Sequence, residues 1–155
     1  MEGKLIKGQI GVIGGSECSH EIYEIAREVG REIAKNGFSL VCGGLGGVME
    51  AACRGAKEAG GITIGILPTS NKRDANPYVD LVIPTGLGHA RNILVVHASD
   101  ALVAVNGEAG TLSEIAIALK VKKPIVGIKT WELDGRIPLT EDGRESMAML
   151  MDMLR

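Results

Sequence analysis

Short, continuously apolar runs alternate along this chain with longer stretches in which apolar positions recur every three or four residues. The first run, residues 10–13, ends in Gly14-Gly15-Ser16, after which Ile22, Ile25, Ala26, Val29 and Ile33 keep helical spacing. Asn36-Gly37 stops that helix, residues 38–42 read as a second strand, and Gly43-Gly44-Leu45-Gly46-Gly47 leads into a helix over 48–58 closed by Gly60-Gly61. A third strand, 62–67, ends before Pro68, and residues 69–77 carry turn formers without periodicity, which reads as a mobile loop. The pattern then predicts a strand at 81–83, a helix at 90–98, a strand at 101–105 and a helix from 111 to about 121. A sixth strand at 124–128, a turn excursion over 131–138 and a terminal helix at 142–154 complete the chain.

Strict alternation of strand and helix, with strands apolar throughout, predicts a parallel sheet buried on both faces. Right-handed crossovers make it doubly wound. The expectation is one Rossmann-like α/β domain over residues 1–155, helices on both faces, with strand order 3-2-1-4-5-6.

Composition narrows what such a domain could do. Hydrophobic residues at 45% and charged residues at 23% are ordinary, but 22 glycines in 155 residues are about double the usual share and need placing. A formal charge of -2 argues against a nucleic-acid or anionic-membrane surface, and aromatics at 3% argue against a stacking platform for single strands, although Tyr23 or Tyr78 could stack on one base. No apolar run approaches the roughly 20 residues of a membrane span, and Cys18, Cys42 and Cys53 form no CxxC pair. A cytoplasmic protein with packing cysteines and a small-molecule ligand is expected. His20, His89 and His97 lack metal-ligand spacing, so neither a metal nor a resident cofactor is expected. Met147, Met149, Met151 and Met153 read as filling core or subunit gaps.

The glycines fall directly after strands one, two and five, at the carboxyl edge where open α/β sheets bind ligands. Glycine lets backbone approach a ligand, and free N–H groups of the following helix favour a phosphate. Gly11-Val12-Ile13-Gly14-Gly15-Ser16 is not a GxGxxG fingerprint, and no acidic residue ends strand two at Val41-Cys42-Gly43, which disfavours a redox dinucleotide. There is no GK[ST] to reach β and γ phosphates, so a monophosphate suits better. The candidate ligand-binding residues are Gly14, Gly15, Ser16, Gly43, Gly44, Gly46, Gly47, Met49, Asn106, Gly107, Glu108, Ala109, Gly110 and Thr111.

Two charged residues stand at helix starts beside the same edge: Arg91 in Gly88-His89-Ala90-Arg91-Asn92, and Glu114 in Gly107-Glu108-Ala109-Gly110-Thr111-Leu112-Ser113-Glu114. If strands four and five are neighbours, about 4.8 Å apart, both side chains reach one ligand. Thr111 and Glu114 also have the spacing of a capping box, a purely structural use.

These segments, with Gly43-Gly44-Leu45-Gly46-Gly47-Val48-Met49 and the Gly60-Gly61 strand ending at Pro68, resemble the LOG-type family. Its members are nucleoside 5′-monophosphate phosphoribohydrolases often labelled lysine decarboxylase-like. The resemblance implies a homodimer or larger homo-oligomer, Arg91 and Glu114 as the catalytic pair, and Gly107, Gly110 and Thr111 around the 5′-phosphate. Glu114 would face the positive charge that builds on ribose as an N-glycosidic bond breaks, and Arg91 would position phosphate or sugar oxygens. Against the family's PGGxGTxxE signature and its Arg-Lys pair, Asn106 and Glu108 replace the proline and second glycine, and Asn92 replaces the lysine. These departures weaken the enzymatic implication: Glu108 puts a negative charge into the loop, costing phosphate affinity unless it points away or meets a cation, and losing the lysine removes a positive charge. A branch of the superfamily containing molybdenum cofactor carrier proteins is similar here too, around Gly110-Thr111-Leu112-Ser113-Glu114-Ile115. It implies a non-catalytic carrier of a nucleotide or pterin cofactor; a nucleotide sensor is a third reading.

Overall fold

The computed structural model describes residues 5–155. Six parallel strands form one sheet: β1 (Gln9–Gly14), β2 (Ser39–Cys42), β3 (Thr63–Leu67), β4 (Leu81–Pro84), β5 (Ala101–Val105) and β6 (Ile125–Ile128). The helices are α1 (His20–Lys35), α2 (Val48–Glu58), α3 (Arg91–Ala98), α4 (Ala109–Lys120) and α5 (Gly143–Met153). Ser19 caps α1 by accepting from Ile22 N–H, and Asp142 caps α5 through Glu145 N–H.

Alternate residues of each strand enter opposite cores, because successive side chains of a strand point to opposite faces. Ile10, Val12, Leu40, Cys42, Val103, Val105, Val126 and Ile128 pack under α1, α2 and α5. Ile13, Val41, Ile66, Leu102, Ala104 and Ile125 pack under α3 and α4. The doubly wound α/β expectation therefore holds. Met147 and Leu150 are buried in the first core, with Met149 and Met151 against it, so the methionine-rich helix fills core.

The strand order is a correction: it runs β4-β3-β2-β1-β5-β6, with the fourth strand at the edge beside β3 instead of between β1 and β5. The β3–β4 connection contains no crossing helix, only a single 3-10 turn at Lys72–Asp74. Its end is tied back onto β3: Thr63 Oγ1 donates to the Tyr78 carbonyl, and the Asp80 carboxylate accepts from Thr63 N–H and from Lys57 Nζ. The chain has to enter β4 beside β3, leaving Leu81 and Ile83 exposed as edge residues. The crossing falls to α3, which runs back over β3, β2 and β1 and lands beside α4.

The tightest packing lies between α1 and α2, the first two crossover helices. A Cβ at Gly30 would sit 1.9 Å from the Ala52 carbonyl oxygen, and one at Gly55 would sit 1.8 Å from that of Arg27. Both contacts are with backbone, which cannot swing aside, so the pair specifies the helix separation. Gly30→Ala and Gly55→Ala are each expected to lower stability by about 1–3 kcal/mol, the range for overpacking, read as a lower urea midpoint. A wild-type midpoint in either variant would mean that the two helices separate without cost.

Candidate functional site

The carboxyl ends of β1, β2 and β5 and the starts of α3 and α4 enclose a crevice of about 650 Å³. Eleven of the sixteen candidate residues line it: Gly14, Gly15, Ser16, Met49, Arg91, Asn106, Gly107, Glu108, Gly110, Thr111 and Glu114. Ala109, Gly43, Gly44, Gly46 and Gly47 do not. Gly46 and Gly47 hold the β1–α1 loop instead: a Cβ at Gly46 would meet the Ser16 carbonyl oxygen at 3.0 Å, one at Gly47 would meet the Gly15 carbonyl oxygen at 2.4 Å, and Val48 N–H donates to Gly15 at 3.0 Å. Sequence reasoning had not assigned Glu17, Leu45, Pro68, Gly88, His89 and Asn92 to the lining. Leu45 is presented by the 69–77 loop, whose Asn76 donates from its backbone to Gly44 and from its side chain to Leu45. That long-range tie leaves no local signal. Neither Tyr23 nor Tyr78 lines the crevice; Tyr78 packs against the core with the Arg54 guanidinium 5.9 Å from its ring centre.

Arg91 and Glu114 share the crevice, but not because their strands are neighbours. Three strands, β3, β2 and β1, lie between β4 and β5, and the two residues meet because α3 crosses to α4. Arg91 is 9% exposed and Glu114 6%. The guanidinium occupies the space a side chain at Gly43 would need, with Nη2 2.6 Å from an added Cβ. Its Nη2 donates to the Gly43 carbonyl at 3.5 Å and its Nη1 to Asn92 Oδ1. Asn92 Nδ2 donates in turn to Ser113 Oγ at 3.1 Å, and Ser113 donates to the Gly110 carbonyl at 2.7 Å. Asn92 thus links the guanidinium to the first turn of α4. Arg91 Nε is buried without an acceptor, an arrangement that costs roughly 1–3 kcal/mol.

The capping box does not form. The helix α4 starts at Ala109, with Glu108 as N-cap and no side-chain cap bond, so Thr111 and Glu114 lie inside it. Among the described residues, Glu114 makes no side-chain hydrogen bond and no ion pair within 4.0 Å. Burial pushes its carboxyl up to about 8, with the Arg91 charge pulling the other way, and burial also lowers the Arg91 value. Each group responds more to loss of water than to the other. Arginine still stays charged at any ordinary pH, so near neutrality the crevice holds a fixed cation and a protonated carboxyl.

At the other wall the chain turns through Asn106 (φ 49) and Gly107 (φ 96) into α4. Only glycine fits at 107, where a Cβ would meet Thr111 Oγ1 at 2.2 Å. The N–H groups of Gly107, Ala109, Gly110 and Thr111 have no protein acceptor among the described residues, and with the helix dipole they form an anion cradle. Cys42 and Cys53 are buried with Sγ atoms 3.5 Å apart, behind the Gly43 turn, and both are free thiols. Among the described residues no cluster of three or more His, Cys, Asp or Glu side chains could hold a metal, and no helix is long and apolar enough to cross a membrane.

A model of the SLOG cluster4 family matches residues 7–153. An uncharacterized protein of Archaeoglobus fulgidus is 54% identical over 122 residues, 78% of this chain and 80% of its own length. A cytokinin riboside 5′-monophosphate phosphoribohydrolase of Mycobacterium tuberculosis is 35% identical over 121 residues, covering 72% of this chain and 64% of the enzyme. Among solved structures, the molybdenum cofactor binding protein from Rippkaea orientalis matches with a TM-score of 0.91 at 35% identity, over 98% of this chain and all of that one.

The Glu114 carboxyl gives the site a measurable signature in the ligand-free protein. The unfolded chain ionises this group near its ordinary value of 4.5, while the folded protein keeps the proton to about 8, so between those limits the folded state binds more protons. Stability therefore falls as pH rises through that window and levels off above it. Relative to Glu114→Gln, the wild type is expected to lose on the order of 1 kcal/mol per pH unit there, seen as diverging urea midpoints. Parallel pH profiles would mean that Glu114 is ionised in the folded protein.

Proposed function

The chain belongs to the SLOG cluster4 family, and from that premise we propose that its crevice binds a phosphorylated heterocyclic ligand, of nucleotide or molybdenum-cofactor type, and holds it as a carrier. The phosphate lies on the turn through Asn106 and Gly107 and on the unpartnered N–H groups opening α4, with the Thr111 hydroxyl beside it. The heterocycle lies toward Leu45, Met49 and Pro68, the apolar part of the lining.

The observation that carries the carrier reading is the Glu114 carboxyl, 6% exposed on the crevice wall without a hydrogen-bond partner among the described residues, and pushed up to about 8 by burial. A carboxyl that keeps its proton at neutral pH donates a hydrogen bond to a ring nitrogen or carbonyl, which anchors a ligand. Stabilising a cationic sugar during N-glycosidic cleavage calls for the ionised form. Asn92 in place of the signature lysine supports the same reading, because it spends its amide on Arg91 and Ser113. The likeness to a molybdenum cofactor binding protein along nearly the whole of both chains agrees with it.

A second reading, hydrolysis of a nucleoside 5′-monophosphate to free base and ribose 5-phosphate, is supported by two features. Arg91 and Glu114 line one crevice, and the chain is 35% identical to a phosphoribohydrolase over most of its length. The two readings separate in one experiment. Calorimetry against nucleoside monophosphates and molybdopterin compounds is expected to show binding that Arg91→Ala weakens by about tenfold or more, while chromatography of the same mixtures shows no free base. Base release that disappears in Glu114→Ala would overturn the carrier reading in favour of hydrolysis.

A further inference from the structure

We infer that Cys42 and Cys53 are a disulfide-forming pair behind the crevice wall, closed by an oxidant of the hydrogen peroxide class, and that closure loosens the turn on which Arg91 is seated. The consequence for ligand affinity rests on the phosphate-binding reading above; the pair and its effect on the turn do not.

The two sulfurs are in contact, with Sγ atoms 3.5 Å apart, and neither lines the crevice. A bonded pair stands at about 2.05 Å, so closure takes an approach of about 1.5 Å. Cys42 ends β2, and Cys53 lies within α2. The helix has little freedom to supply that approach. Ala52, the residue before Cys53, has its carbonyl against Gly30 of α1, and Gly55 stands against the Arg27 carbonyl. The movement therefore falls on the end of β2, where the Cys42 sulfur accepts from Gly44 N–H at 3.4 Å and the Gly43 carbonyl between them accepts from Arg91 Nη2. A neutral disulfide sulfur is a weaker acceptor than a thiol inclined to ionise, so closure weakens the bond that holds Gly44 back over Gly43.

The surroundings divide the pair into an attacking and a resolving thiol. The Cys53 thiol donating to it, with the Gly44 N–H and the Arg91 charge, holds Cys42 below the ordinary thiol value against the effect of burial, while the same bond and burial push Cys53 up. The Cys42 sulfur attacks one peroxide oxygen, the O–O bond breaks, and the departing hydroxide takes the Cys42 proton as water, leaving a sulfenic acid. The Cys53 sulfur then attacks the Cys42 sulfur, the S–O bond breaks, and the second hydroxide takes the Cys53 proton. Two thiols and one peroxide become one disulfide and two waters, with two electrons passing from sulfur to oxygen. Both residues are 0% exposed, which restricts the oxidant to a molecule little larger than water. The way in is short. Cys42 is one residue from Gly43, where an added Cβ would meet Arg91 at 2.6 Å and Met49 at 2.8 Å, and both of these line the crevice.

Treating the folded protein with hydrogen peroxide tests this, in a Cys18→Ser background that leaves Cys42 and Cys53 as the two thiols. Thiols counted after denaturation are expected to fall from two to none, with a loss of about 2 Da that dithiothreitol restores. A bulky aromatic disulfide reagent is expected to leave both thiols unreacted in the folded protein. Further replacement by Cys53→Ala is expected to abolish the loss of mass and let Cys42 gain oxygen instead, about 16 Da. In the closed form, amide hydrogen exchange over residues 43–45 is expected to quicken, and calorimetry with adenosine 5′-monophosphate is expected to show affinity weaker by about threefold or more. Two free thiols surviving peroxide, or oxygen gained by the intact pair without closure, would overturn the pair. Unchanged exchange at 43–45, or unchanged affinity in the closed form, would overturn its link to Arg91. Absence of binding in both forms would bring down the ligand reading, with hydrogen exchange still deciding the effect on the turn.

Discussion

A guanidinium taken almost out of water at the carboxyl edge of the sheet has to find oxygen acceptors close by, and much of the crevice is organised around meeting that demand. Arg91 reaches the Gly43 carbonyl only because residue 43 has no side chain to occupy the guanidinium's place, and it is steadied by Asn92, the next residue along the chain. Asn92 passes the constraint to Ser113, and Ser113 to the Gly110 carbonyl in the first turn of α4. The anion cradle is therefore positioned partly by the buried cation. What the network leaves buried and unpaired is Arg91 Nε, on the same crevice as the Glu114 carboxyl, at a cost in stability.

Much of this was legible in the sequence. The apolar runs of β1, β2 and β5 and the glycines that follow them were enough to place a crevice at one sheet edge, since strand period and glycine placement are local properties. The position of β4 was not legible, because it depends on Thr63 being held by Tyr78 and Asp80, residues far along the chain whose pairing no local pattern announces. The same gap hid the true reason that Arg91 and Glu114 converge: α3 does the crossing that the β3–β4 loop does not. The Thr111 to Glu114 spacing misled in the opposite sense. It matches a capping box, but the helix begins two residues earlier, and Glu114 turns inward to the crevice.

The two faces of the sheet divide the labour. The α1, α2 and α5 face is packed backbone against backbone, with Gly143 of α5 close to Val29 of α1 as well as the Gly30 and Gly55 contacts. That face supports the β1–α1 and β2–α2 loops, so Gly46 and Gly47 contribute to the site by fixing Gly15, Ser16 and Glu17 in place. The α3 and α4 face carries the polar chemistry. It is covered by two helices and leaves Ile93 and Leu94 half exposed.

Asn106 stands where the LOG-type signature has proline, and it does so in a left-handed backbone conformation at φ 49. Asparagine tolerates that region, whereas the proline ring locks φ near −65°. Proline at 106 is therefore closed to this turn as it is built, because the peptide planes on either side would have to turn with it. Position 106 thus constrains the path of the chain into α4 as well as the side chain offered there.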